Sequence, residues 1–106
     1  MPLLANSSIT SVNNIGTAVI PLIGSNSART TINFHNPGSV DIIVFPTTVL
    51  NVTPPAVFAP SLSSLGGGYR IYANGGDRTV LGSAACQAWQ VVAVSGSNNP
   101  LTITEA

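Results

Sequence analysis

The chain has 106 residues, enough for one domain with a core of its own and too few for two. Charged residues make up 6% of it, where about 25% is ordinary for a soluble domain, and the net charge is zero. Arg29, Arg70, Arg78, Asp41, Asp77 and Glu105 are the full set, with no lysine, so no basic track exists to neutralise a phosphate backbone.

With so few charges, the polar surface has to come from Ser, Thr and Asn, and nothing repels one copy from another. That composition favours a protein packed in an assembly over a freely diffusing enzyme; a secreted β-domain is the other class that shares it. Cys86 is the single cysteine, so no intrachain disulfide forms. The first six residues have neither a basic n-region nor a long apolar run, which points to synthesis in the cytoplasm. No window approaches the ~20 apolar residues of a membrane helix.

Residues 1–14 open with Pro2, Leu3 and Leu4 and then turn polar, as an N-terminal arm or an edge strand; residues 15–106 form a single β-sandwich domain. Residues 17–23 are apolar and β-branched, and Pro21 places that strand at a sheet edge or at a bulge. Residues 29–35 alternate, with Ile32 and Phe34 on one face and Asn33 and His35 on the other. Asn36-Pro-Gly-Ser has the composition of a type II turn. The continuously apolar residues 40–45 follow, buried on both faces. Residues 29–45 thus read as a hairpin.

Residues 46–64 hold Pro46, Pro54, Pro55 and Pro60 among Val49, Leu50, Val52, Val57 and Phe58. This is an extended proline-rich loop whose apolar side chains cover its own core or a partner. Residues 69–73 and 79–84 read as a second hairpin about Asn74-Gly-Gly-Asp. Residues 87–94 and 101–104 read as a third, around Ser-Gly-Ser-Asn-Asn-Pro. In it Trp89, Val91 and Ala93 share one face, and Trp89 anchors the core provided its N–H finds a partner. Residues 84–88 have helix propensity but are too short to propagate alone. The total is seven or eight short strands at intervals of about ten residues, an all-β antiparallel sandwich or jelly roll.

Catalytic chemistry finds little to work with. His35 is the only histidine, and its plain reading is a hydrogen bond to the turn near Pro37. A Ser-His-Asp arrangement needs a buried carboxylate behind it, and no Gly-x-Ser-x-Gly elbow occurs. Cys86 has no nearby group to lower its thiol pKa. A zinc site lacks ligands. Asn74 and Asp77 around Gly-Gly are turn formers that bond to backbone rather than calcium ligands. The three arginines are set to pair with Asp41, Asp77 or Glu105. No catalytic residue, cofactor or metal is therefore expected.

Three segments carry a resemblance. Arg29-Thr-Thr-Ile-Asn-Phe-His-Asn-Pro-Gly-Ser-Val-Asp-Ile-Ile-Val resembles the opening of small structural proteins of tailed bacteriophages, with its arginine, alternating strand, Asn-turn and second strand. Residues 66–82, and Gln-Ala-Trp-Gln-Val-Val-Ala-Val with its continuation to Glu105, are similar to further parts of those proteins. The resemblance implies a virion β-sandwich: a capsid decoration (cement) protein, or a small tail or head accessory. It implies the major capsid protein and copies of itself, as homotrimer or homodimer, for partners. The capsid surface would be its place. A head-fibre or tail module binding host carbohydrate is the alternative, with Tyr69 and Tyr72 as its aromatic candidates.

The expected assembly contacts are Pro2, Leu3 and Leu4 of the arm and Val49, Leu50, Val57 and Phe58 of the loop. Deleting residues 1–6 should leave a folded protein with weakened binding to capsid shells, measured by co-sedimentation; full affinity in the truncated protein would remove the arm from the interface.

Overall fold

The computed structural model describes residues 8–47 and 68–106. These form eight strands: β1 (Ser8–Ile15), β2 (Ile20–Ile23), β3 (Thr31–Asn36), β4 (Ile42–Pro46), β5 (Tyr69–Ile71), β6 (Gly76–Leu81), β7 (Trp89–Ala93) and β8 (Asn99–Glu105). Among the described residues one 3₁₀ turn, Gly82–Cys86, overlaps the helix-prone stretch 84–88 and replaces the end of the strand expected over 79–84, while β6 begins at Gly76, inside the expected turn. The strands make two four-stranded antiparallel sheets, ordered β1-β8-β3-β6 and β2-β7-β4-β5. In this order β1 lies beside β8, β2 beside β7, β3 beside β6 and β4 beside β5. It is the jelly-roll order, a long folded-over ribbon rolled into a sandwich.

This order corrects all three expected hairpins. β3 and β4 lie in different sheets, as do β5 and β6, and β7 and β8. β4 and β5 are the one pair of successive strands that are hydrogen-bonded neighbours. The turn residues of the sequence are real, but they carry the chain across the ~10 Å between sheets rather than back along the same sheet. A short polar loop spans that gap as readily as it reverses a strand.

The core follows from alternation. Ile32 and Phe34 of β3, Ile42 and Val44 of β4, Val91 and Ala93 of β7, and Leu101 and Ile103 of β8 fill the space between the sheets. Trp89 is 1% exposed and meets Phe34 edge-on, with ring centroids 5.0 Å apart. Tyr69 lies 6.0 Å from the indole on the other side. Among the described residues the Trp89 Nε1–H finds no hydrogen-bond partner, so the anchor is held by area and ring contacts at the expense of a desolvated donor. β4 and β7 are buried along their whole length, Ile43, Phe45 and Val92 included, so that both faces of these two central strands are covered. Pro21 sits on edge strand β2, and a bulge follows it between Pro21 and Ile23.

Polar side chains lock the crossovers at each end of the sandwich. At one end, Asn36 is fully buried. Its Nδ2 donates to the carbonyls of Val40 (2.8 Å) and Ile71 (3.0 Å), and its Oδ1 accepts from the Gly38 N–H. The β3–β4 and β5–β6 crossovers are thereby tied together, and the Asn74 and Gly75 N–H groups add bonds to Gly38 and Asn36. Asn74 adopts φ 64° and Gly75 φ 102°, left-handed values that Asn and Gly tolerate best. Gly76 cannot be replaced: a Cβ there would sit 2.2 Å from the Tyr72 carbonyl oxygen. Asn99 does the same service nearby, donating to Ile15 O and Ser95 O.

At the other end Arg29 is 3% exposed. Nη1 pairs with Glu105 Oε1 at 2.8 Å, Nη2 donates to Gly24 O and Gln87 O, and Nε donates to Ala85 O. One guanidinium joins the β2–β3 crossover, the 3₁₀ turn and the last strand. Removing one member of a buried pair strands its partners. Arg29→Ala is expected to cost about 3 kcal/mol or more in urea unfolding, against about 0.5 kcal/mol or less for an exposed surface change.

Candidate functional site

The described residues hold no cluster of His, Cys, Asp or Glu able to bind a metal ion. His35 does not bond to the turn near Pro37. It projects from the outer face of β3, and its Nδ1 lies 3.3 Å from Asp77 Oδ1 on the neighbouring strand. Both side chains are largely exposed, so the pair lacks the buried carboxylate of a Ser-His-Asp arrangement. Cys86 ends the 3₁₀ turn half-buried, its Sγ donating to Ser83 O at 2.9 Å. The Asn74–Asp77 turn works through backbone conformation, since Asp77 faces His35.

The arginines complete the pattern. Arg70 pairs with Asp41 at 2.8 Å. Arg78 stacks its guanidinium 4.1 Å from the centroid of the Tyr69 ring, bridging the open mouth between edge strands β6 and β5. With Arg29 on Glu105 and His35 beside Asp77, every charged side chain, and His35, is turned toward a partner within the chain. Tyr72 is 64% exposed, with Arg70 at 5.9 Å from its ring.

Most of what remains outside is uncharged. The outer face of the β1-β8-β3-β6 sheet carries cross-strand rows that register pairing aligns. Ile9, Thr104, Asn33 and Thr79 form one row; Ser11, Thr102, His35 and Asp77 form the next. Asn33 Nδ2 donates to Thr79 Oγ1 at 2.9 Å. Hydroxyl and amide groups thus repeat at the ~4.8 Å strand spacing over a broad surface. The alternation of residues 29–35 and 101–104 marked these side chains as outward, but not that β8 lies beside β3. On the second sheet, an open groove of about 370 Å³ runs along Pro21, Leu22, Ile23, Thr47, Ala88 and Gln90, without a titratable group. The expected assembly contacts Pro2, Leu3, Leu4, Val49, Leu50, Val57 and Phe58 lie outside the described residues.

No protein-family model matches the sequence, and no curated protein matches it. Among solved structures the chain is similar to dTDP-4-dehydrorhamnose 3,5-epimerase from Bacillus anthracis str. Ames, solved with TDP and PPi bound. The TM-score is 0.46 at 8% identity, over 95% of this chain and 51% of the enzyme. The chain spans about half the length of that protein, and nothing about its own chemistry follows from the likeness.

The titration of Asp41 is displaced downward. The Ala73 N–H, donated to Oδ1 at 2.8 Å, holds its pKa below the ordinary carboxylate range, desolvation opposes this, and Arg70 adds to the lowering. A depressed folded-state pKa gives stability that is present above the unfolded value and is lost as pH falls through the folded one. Asp41→Asn should cost about 1 kcal/mol at neutral pH, at the low end for bonds to a charged group because solvent reaches the pair. The difference from the parent protein should vanish in acid, below the parent's Asp41 titration, in urea unfolding followed against pH.

Proposed function

We propose that this protein is a structural virion component, a capsid decoration protein that binds between major capsid subunits of a tailed phage and acts without catalysis. One observation carries the reading: the few charged groups are held in contacts within the chain, which leaves a jelly roll with a sparsely charged exterior. Such a body recognises by shape and hydrogen bonding. Jelly rolls recur in viral capsid domains, and the segment resemblance points to phage structural proteins. A contact of ~1,600 Å² in total is ordinary for a specific interface, and repetition over a shell multiplies modest contacts. Assembly would place the protein on the capsid surface after synthesis in the host cytoplasm.

A second reading has its own observation. Lectin domains share the jelly-roll architecture, and the hydroxyl-and-amide face of the β1-β8-β3-β6 sheet offers neutral donors and acceptors of the kind a glycan uses. An accessory module on a tail or head fibre that binds host carbohydrate would use that face; Tyr72 is the exposed ring available for stacking.

Co-sedimentation separates the two. Shells stripped of accessory proteins should bind the purified protein saturably and become harder to disrupt by heat. Absence of shell binding, together with a specific glycan-array signal, would replace the first reading with the second. His35→Ala should leave shell binding within about twofold of the parent, since an exposed pair contributes little.

A further inference from the structure

The sandwich has four edge strands: β1 and β6 on one sheet, β2 and β5 on the other. An edge exposes a row of unpaired backbone donors and acceptors, and chains that must stay single guard it with charge, proline, a bulge or shortness. Three edges here are guarded. β2 has four residues, carries Pro21 and is broken by a bulge. β5 has three residues and carries Arg70. β6 carries Asp77 and Arg78, the latter folded over Tyr69.

β1 differs in length, in charge and in proline. Its eight residues, Ser-Ile-Thr-Ser-Val-Asn-Asn-Ile, include no charge and no proline. Its one irregularity falls between Val12 and Ile15, which leaves Ser8–Val12 paired in unbroken register with β8 and, among the described residues, without a strand on the other side. Ser8, Ile9, Thr10 and Ser11 are all exposed. Ile9 is 61% exposed, one of three large apolar side chains left so among the described residues.

We infer that the Ser8–Val12 edge of β1 is a self-association site, taking the same edge of a second copy as an antiparallel strand about a two-fold axis. The union joins two four-stranded sheets into one of eight strands, β6-β3-β8-β1 continued by its symmetry mate. It satisfies the open backbone row and covers Ile9 on both copies. A second copy is the occupant because the strand is neutral and its side chains fit themselves: like-charge opposition, which would forbid self-pairing, is absent. The zero net charge adds no long-range repulsion. The joined sheet also doubles the neutral outer face. The inference deepens the proposed self-association and rests on it.

Two charge variants of the full chain test it by sedimentation velocity across a concentration series. Ile9→Lys/Ser11→Lys and Ile9→Glu/Ser11→Glu alter only exposed positions, so unchanged thermal unfolding of each checks that the fold survives. The parent protein should dimerise. Each variant alone should dimerise about tenfold more weakly or worse, because like charges then face each other across the new pair. An equimolar mixture of the two should regain the dimer. Thr79→Lys, on guarded strand β6, should dimerise like the parent. A parent that stays monomeric, a lysine variant that dimerises unchanged, or a mixture that fails to recover would each overturn the inference. Shell co-sedimentation of the same samples tells the two claims apart. A dimer with these properties that ignores shells sinks the capsid reading alone, whereas a monomeric parent that decorates shells sinks the β1 edge alone.

Discussion

The structure depends on one constraint: six of the seven steps between successive described strands pass from one sheet to the other, and only β4 and β5 share a sheet. Backbone at a crossover has left its ladder, and its polar groups need other partners where water is excluded. Buried side chains supply them. Asn36 and Asn99 satisfy carbonyls at one end, and Arg29 does so at the other with Glu105 as its counter-charge. Between these ends the apolar layer around Trp89 holds the sheets together, but it does not select which strand lies beside which.

That division of labour bears on function. Arginine in a chain with six charges would ordinarily be read as a binding residue. Here Arg29 is consumed by the fold, Arg70 by Asp41, and Arg78 by the Tyr69 ring. The protein thereby keeps a surface of hydroxyls, amides and a few apolar side chains, suited to broad contact and poor in the means of general acid or base chemistry. His35 and Asp77 stand beside each other in the open, where an ion pair has little energetic weight.

The sequence and the fold agree at the level of elements. Period-two alternation in residues 29–35 and 101–104 marked their buried and exposed faces, and continuous apolarity in residues 40–45 marked a strand covered on both sides. Pro21 announced both the edge and the bulge of β2. Pairing was another matter. Asn36-Pro-Gly, Asn74-Gly-Gly and Gly96-Ser-Asn-Asn have hairpin chemistry, yet each links strands in opposite sheets. The fates of single polar residues were equally hidden: an Arg before a strand gives no sign that four acceptors will converge on it, and Asp77 gave no sign that it would turn from its own loop to His35.

The amino-acid order by itself thus determined that the chain is all-β, roughly where most of its strands lie, and which side chains of the alternating strands face inward. Those properties are local, set by side-chain alternation, turn residues and composition. Only the tertiary structure decided the jelly-roll order, the burial of Arg29 and Asn36, and the exposure of β1 as the one unguarded edge. Each of those depends on which distant segments meet, and an antiparallel ladder accepts almost any alternating strand as its neighbour until the whole sandwich has closed.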